Sequence, residues 1–369
     1  MRLALIVSGL VIVLGAAAFA GIAAQKGWVS PLQLSATADA PAASRARAPA
    51  AQEPSLAPAE TVAAPVAAVP AAPTVVAQAT PAQQPAAPAA PAASCPGNPN
   101  ALGITRVVEV DTTGGPGFGF EHFKTHDFLR EGEVVLTFDD GPWPKNTPKV
   151  LAALAYHCTK AIFFPIGLHA TYEPQILKQV AAAGHVIGSH TWCHQDLSKT
   201  KGSCLVNGKR EIVEYDPKDE IEKGFSAVRW AVGGPTAPYF RFPALRQPPE
   251  LITYLGQRNV AIFSTDMDSF DFKMRKPEQV RQSVLAKLKK HGKGIVLMHD
   301  FQHATADAVA DLLNDLKAGG YKIVFMKPKF PVTTIASYDE LVLKQVKAAG
   351  GGGAGDGRPT SSVIRTIND

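Results

Sequence analysis

From Glu133 to Phe325, short unbroken apolar runs alternate with longer stretches of helical periodicity. The runs cover 133–138, 161–166, 185–188, 239–242, 261–264, 295–298 and 322–325. They lack a polar–apolar alternation, so each reads as a strand covered on both faces. Helical patterns lie between them at 147–156, 173–183, 218–231, 277–290 and 305–318, and Gly184, Gly292, Gly319 and Gly320 stand where such helices stop. Strand–helix alternation of this kind predicts a parallel sheet. The conspicuous polar residues fall at the carboxyl ends of different runs: Asp139-Asp140, His190, Arg241, the group from Asp266 to Asp271, and His299. A parallel barrel would gather those ends on one face, whereas an open doubly wound sheet would gather them less well.

The rest of the chain constrains where this domain works. Residues 3–24 are uncharged and apolar, with Arg2 before and Lys26 after. Roughly 20 such residues span a bilayer as a helix. The stretch is therefore expected to be an uncleaved anchor, with a cleaved signal peptide ending near Ala18-Phe19-Ala20 as the alternative. Either places the remainder outside the cytoplasm. Residues 35–94 are almost entirely Ala, Pro, Val, Gln, Thr and Ser, without aromatic residues, and predict a disordered tether. A glycine run opens a similar tail at 350–369. The expected division is an anchor or signal at 1–27, a linker at 28–94, one folded domain at 95–349 and a disordered tail at 350–369. A net charge of +5 without a dense basic run argues against nucleic acid.

Four cysteines in an exported domain predict disulfides, and four allow three pairings. Proximity in sequence favours Cys193 with Cys204, leaving Cys95 with Cys158. No Cys-x-x-Cys pair occurs, which disfavours a cysteine zinc site.

The chemistry suggested is metal-assisted hydrolysis. In Thr137-Phe138-Asp139-Asp140-Gly141-Pro142 a sharp turn holds two carboxylates just beyond a strand, one able to ligate a metal and the other to accept a proton. His190 and His194 stand at i and i+4 and would share a face if 189–197 were helical. With a strand-end Asp they make three protein ligands and leave positions open, as catalytic metal sites require. Arg241 is suited to pair with a carboxylate, and His299 is the right residue type for a general acid. Each position alone has an ordinary structural explanation. Five such positions at strand ends make coincidence a poor one.

These residues resemble the polysaccharide deacetylase family (the NodB-homology domain, carbohydrate esterase family 4). The likeness covers roughly 134–327, with a longer than usual insertion between His194 and Arg241. It rests on Thr137-Phe138-Asp139-Asp140-Gly141-Pro142, on His190-Thr191-Trp192-Cys193-His194, on Ala161-Ile162-Phe163-Phe164 and on Leu297-Met298-His299. The resemblance implies a distorted (β/α) barrel of about seven parallel strands. It further implies a divalent metal on Asp140, His190 and His194, zinc first, with cobalt, nickel or manganese as alternatives. Asp139 would be the base, steadied by Arg241, and His299 the acid, supported by Asp268 or Asp271. The Ala244 N–H would help to hold the oxyanion. Two motifs depart from the family pattern: Ala244 follows Arg241-Phe242-Pro243 where tyrosine is usual, and Phe272 replaces a tryptophan. The expected activity is removal of N-acetyl groups from an N-acetylglucosamine-containing polymer (peptidoglycan, exopolysaccharide or chitin-like oligomers). The expected partners are that glycan and, through the N-terminal segment, the cytoplasmic membrane, with the catalytic domain outside the cell or secreted. An inactive glycan-binding module and a small-molecule amide hydrolase are the alternatives.

Overall fold

The computed structural model describes residues 95–206 and 209–349. The expectations for the N-terminal apolar segment, the linker and the C-terminal tail lie outside the described residues. Among the described residues no helix is long and apolar enough to cross a membrane.

The chain begins with β1 (Arg106–Val110), β2 (Gly117–Phe118), β3 (Glu133–Asp139), α1 (Asn146–Tyr156), β4 (Ile162–Phe164), α2 (Gly167–Tyr172), α3 (Pro174–Ala182) and β5 (Val186–Ile187). A hairpin of β6 (Lys201–Val206) and β7 (Lys209–Glu214) follows, then α4 (Pro217–Val232), β8 (Tyr239–Phe240), α5 (Pro249–Gln257), β9 (Ala261–Phe263) and β10 (Met267–Asp268). The last elements are α6 (Pro277–His291), β11 (Gly294–His299), α7 (His303–Ala318), β12 (Lys322–Pro328) and α8 (Ala336–Ala348). All seven predicted strands and all five predicted helices occur, with ends shifted by a few residues. The strands missed are β1, β2, β10 and the hairpin, and the helices missed are α2, α5 and α8.

A seven-stranded sheet runs β1-β12-β3-β11-β10, with β4 on β3 and β5 on β4, and every pairing is parallel. β11 lines one edge of β3 along Val134–Asp139. The other edge is shared: β12 pairs with Glu133 and Val134, and β4 takes over from Thr137. The sheet therefore splits at β3. β2, β9 and β8 form a second parallel sheet, which meets the first where Ser189, just beyond β5, bridges Phe240.

The alternation of β3 explains both its burial and its chemistry. Val134, Leu136 and Phe138 belong to the core under α1 and α7, with Leu154, Val309 and Leu313. Val135 points the other way, into a core with Ile162, Phe164, Tyr239 and Phe263. Thr137 and Asp139 follow on that second face, because side chains two apart along a strand share a face. An apolar interior thus turns polar at the carboxyl end of the strand. The register puts His299 opposite Asp139, so the base and acid candidates come together through strand pairing alone.

Both disulfides pair as predicted, Cys95 with Cys158 and Cys193 with Cys204. The second ties the hairpin to the loop after β5. Helix α4 presses on that same loop. It opens with Pro217 after an Asp216 cap, whose side chain accepts the Lys218 N–H at 2.7 Å, and ends at Gly233 in a left-handed conformation (φ 73). At its middle, Gly224 lets the helix backbone reach the loop. A Cβ there would lie 2.6 Å from the Thr191 carbonyl carbon and 2.8 Å from Ser189 Oγ. Gly224→Ala should therefore destabilise the protein by about 1–3 kcal/mol through overpacking, although Ala is the better helix former. Urea denaturation would measure the change, and a neutral or stabilising result would contradict this packing.

Candidate active site

Arg241 lies at the centre of the site, fully buried just beyond β8. Its Nη1 donates to Asp139 Oδ1 and to Thr137 Oγ1, both at 2.7 Å. Nε and Nη2 donate to the carbonyls of Phe263 (3.2 Å) and Ser264 (2.9 Å), and the guanidinium lies 4.5 Å from the Phe164 ring centre. Thr137 Oγ1 passes a hydrogen bond on to the Val296 carbonyl at 2.7 Å. Polar atoms at the ends of β3 and β9 are thereby satisfied by one cation, and the buried Asp139 carboxylate has its counter-charge. None of the aspartates from 266 to 271 contacts Arg241.

Asp140 takes a left-handed turn (φ 71) directly after Asp139. Its Oδ1 lies 3.5 Å from His190 Nε2 and 3.4 Å from His194 Nε2, and the three ligand atoms fall within 4.8 Å of one another. The histidines do not achieve this on a helix. Ser189 is held in strand pairing with Phe240, and Thr191 (φ 69) and His194 (φ 55) turn the chain into a tight loop. That loop is fixed from outside: the buried Glu220 of α4 accepts the Cys193 N–H on Oε2 at 2.8 Å, and its carbonyl accepts the Trp192 N–H at 2.8 Å. The two rings end 4.9 Å apart.

These residues fit a divalent cation. Asp140 Oδ1 is buried and has no hydrogen-bond partner among the described residues, a costly state for a carboxylate oxygen unless a cation completes it. His190 Nδ1–H donates to the Arg241 carbonyl at 2.7 Å, which leaves Nε2 free as the ligand atom. Burial lowers the His190 pKa to about 4, so the ring is neutral at pH 7, as a ligand must be. Burial alone would raise the Asp140 pKa, but the imidazoles of His194, His299 and His190 around it bring it below the ordinary carboxylate value. His194 is 39% exposed and opens the cluster to solvent.

His299 faces the cluster from β11. Its Nε2 is 4.0 Å from Asp140 Oδ2, and its Nδ1–H donates to Asp271 Oδ1 at 2.6 Å. Asp271 is itself held on Oδ2 by the His299 N–H (2.7 Å) and Thr305 Oγ1 (2.5 Å). Burial would lower the His299 pKa, but the hydrogen bond and charge of Asp271, with the charges of Asp140 and Asp139, outweigh it and push it up to about 10. Asp268, predicted as an equal candidate, is not in this arrangement: its Oδ1 accepts the Phe270 N–H at 2.8 Å. Asp266 clamps backbone, accepting the N–H groups of Phe120 and Ile295 at 2.6 Å each. Ala244 is exposed in a turn after Arg241, with φ 52.

Two residues at the site had no assigned role in the sequence. His169 Nδ1–H donates to the Asp140 carbonyl at 2.7 Å and steadies the ligand turn. Asp300 is buried beneath it, accepting from Thr147 Oγ1, and a Cβ on Gly141 would lie 2.4 Å from its carboxylate oxygens. Burial, opposed by the Thr147 hydrogen bond and reinforced by the Asp140 charge, raises the Asp300 pKa to about 7. Its place directly after His299 was the available signal.

Two outcomes follow for variants of the purified protein. Arg241→Ala should cost about 3–5 kcal/mol of stability in denaturant titrations, because it strands a buried charge. His190→Ala should weaken Zn²⁺ binding at least about ten-fold by calorimetry with little change in secondary structure. Unchanged affinity would remove His190 from the ligand set.

Residues 128–262 match the polysaccharide deacetylase family model. A peptidoglycan-N-acetylglucosamine deacetylase of Listeria monocytogenes is 32% identical over 52% of this chain and 37% of its own length. A chitooligosaccharide deacetylase of Sinorhizobium fredii is 31% identical over 45% of this chain and 71% of its own. Among solved structures, a peptidoglycan deacetylase of Bdellovibrio bacteriovorus superposes with a TM-score of 0.52 at 30% identity, covering 61% of this chain and 59% of that one. The chain thus spans little more than a third of the Listeria relative. With the motif residues gathered at one site, the match of sequence and fold settles the family: the chain belongs to the polysaccharide deacetylases.

Proposed function

We propose that this chain is a divalent-metal-dependent hydrolase that removes N-acetyl groups from N-acetylglucosamine-containing polysaccharide of the cell envelope. The observation that carries this reading is the placement of two separately partnered groups around one candidate ligand cluster. Asp139, paired with Arg241, lies on one side, and His299, paired with Asp271, lies on the other. The similarity to deacetylases of peptidoglycan and of chitooligosaccharide supports the substrate class.

Asp140, His190 and His194 would hold the ion, zinc being the first choice for one carboxylate and two imidazoles. A bound divalent ion would polarise the acetamide carbonyl and make water more acidic. Asp139 accepts the proton of the attacking water, oriented by Arg241 so that its second oxygen faces the cluster. The Ala244 N–H adds a hydrogen bond to the developing oxyanion. His299 then gives its Nε2 proton to the departing nitrogen, while Nδ1–H stays with Asp271. Water has been added across the amide, leaving acetate and a glucosamine residue.

We further infer that the strands form a distorted barrel, that 95–349 is the catalytic unit, and that the N-terminal apolar segment holds it at the outer face of the membrane. An inactive binding module is the weaker reading, because the base and the acid each keep a dedicated partner.

Acetate release from acetylated chito-oligosaccharides and peptidoglycan by the Zn²⁺-loaded full chain tests the reaction. Asp139→Asn should lower turnover by about 10²–10⁴-fold while Zn²⁺ still binds. Full activity in that variant would refute the assignment, and release of formate or ammonia instead of acetate would redirect it. The acid makes a separate prediction. Asp271 raises the His299 pKa, and only protonated His299 can donate, so activity should fall as pH rises through that value. Asp271→Asn should move this alkaline limb down by about 1–3 pH units, and an unmoved limb would exclude the pair as the acid.

A further inference from the structure

Beyond β10 the chain runs Asp268-Ser269-Phe270-Asp271-Phe272-Lys273, and its exposed side chains have no part in the chemistry above. Phe270 and Phe272 are 42% and 47% exposed, among the largest apolar groups left open on the described surface. Phe270 is also held in a left-handed conformation (φ 56), which an aromatic residue adopts only when its surroundings enforce it. The enforcement is visible. Asp268 Oδ1 accepts the Phe270 N–H, Ser283 Oγ of α6 donates to the Ser269 carbonyl at 2.6 Å, and Lys287 of α6 donates to the Asp268 carbonyl while lying 4.1 Å from the Phe270 ring centre.

The result of this bracing is a fixed cation. Lys273 Nζ lies 4.7 Å from the Phe270 ring centre and 5.3 Å from that of Phe272. Cation–π attraction holds an ammonium in place without neutralising it or using its N–H donors. No acidic side chain among the described residues pairs with Lys273 or with the exposed Arg275 two residues on. The two nearby carboxylates are turned inward, Asp268 to its own loop and Asp271 to His299. Phe272 meanwhile packs edge-on against His299, with ring centres 5.7 Å apart. The unmatched charge therefore borders the acid side of the site, where the polymer must pass for the amide nitrogen to reach His299.

We infer that Lys273, held over Phe270 and Phe272, forms an anion subsite for a carboxylate of the glycan, so that the preferred substrate is an N-acetylated polymer carrying acidic groups. This rests on the deacetylase reading and narrows its substrate class. A neutral chitin-like chain would gain nothing from the ammonium, whereas a chain bearing a carboxylate on the sugar beside the reacting one would.

The test uses peptidoglycan glycan strands freed of stem peptides, whose lactyl carboxylates are ionised, beside the same strands with those carboxylates amidated. Acetate release by the Zn²⁺-loaded full chain gives kcat/KM for each, with neutral acetylated chito-oligosaccharide as a third substrate. The wild type should prefer the ionised strands, and the preference should shrink as salt is raised. Lys273→Gln should lower the ratio of the two kcat/KM values about three- to five-fold, the scale of an exposed charge pair, and Lys273→Arg should keep it. Equal use of ionised and amidated strands by the wild type, or a loss in Lys273→Gln shared equally by both, would overturn the subsite. Turnover of chito-oligosaccharide with none of either strand would overturn it too, leaving the deacetylase intact. No acetate from any of the three would defeat the deacetylase reading, and the subsite with it.

Discussion

A buried ion pair, Arg241 with Asp139, is the contact on which the rest of this site depends. Taking a guanidinium and a carboxylate out of water is expensive, and in a protein interior it is tolerable only when both are paired and their remaining hydrogen-bonding atoms are satisfied. Here Arg241 also donates to Thr137 and to the carbonyls of Phe263 and Ser264. One side chain thus binds the carboxyl ends of β3 and β9 from its own place beyond β8. Its backbone carbonyl meanwhile receives His190 Nδ1–H. The Asp139 carboxylate and the first imidazole of the candidate metal cluster are consequently oriented by the same residue.

The ligand loop shows the converse arrangement, with rigidity imposed from outside. Residues 189–194 form no helix and carry two non-glycine residues at positive φ, and within the loop Thr191 Oγ1 accepts the His194 N–H at 2.9 Å. Glu220 takes two of their backbone N–H groups, Gly224 admits α4 close behind them, and Cys193 is joined to the hairpin at Cys204. Metal ligands need such bracing, since small displacements of their nitrogen atoms forfeit affinity.

Much of this was legible in the sequence because it is carried by period and position. Apolar runs ending in Asp139 and His299 mark strand ends, and parallel pairing brings those ends together without further information. The disulfide pairing followed from proximity. What the sequence hid depends on contacts between distant segments. β2 and β10 have two residues each, too short for any periodic signal. The β6–β7 hairpin was missed because β7 is almost wholly exposed, Ile212 on it to 76%. The i,i+4 histidines imitate a helix, but strand pairing at Ser189 outweighs local spacing. Among Asp266, Asp268 and Asp271, only the fold distinguishes a backbone clamp, a turn-former and the partner of His299.

The most direct measurement is anomalous diffraction from crystals of the full chain grown with Zn²⁺. A single ion bonded to Asp140 Oδ1, His190 Nε2 and His194 Nε2, with Asp139 still paired to Arg241, is the predicted result. An ion bound through Asp139, or no ion at this cluster under saturating zinc, would contradict the division of labour between the two aspartates.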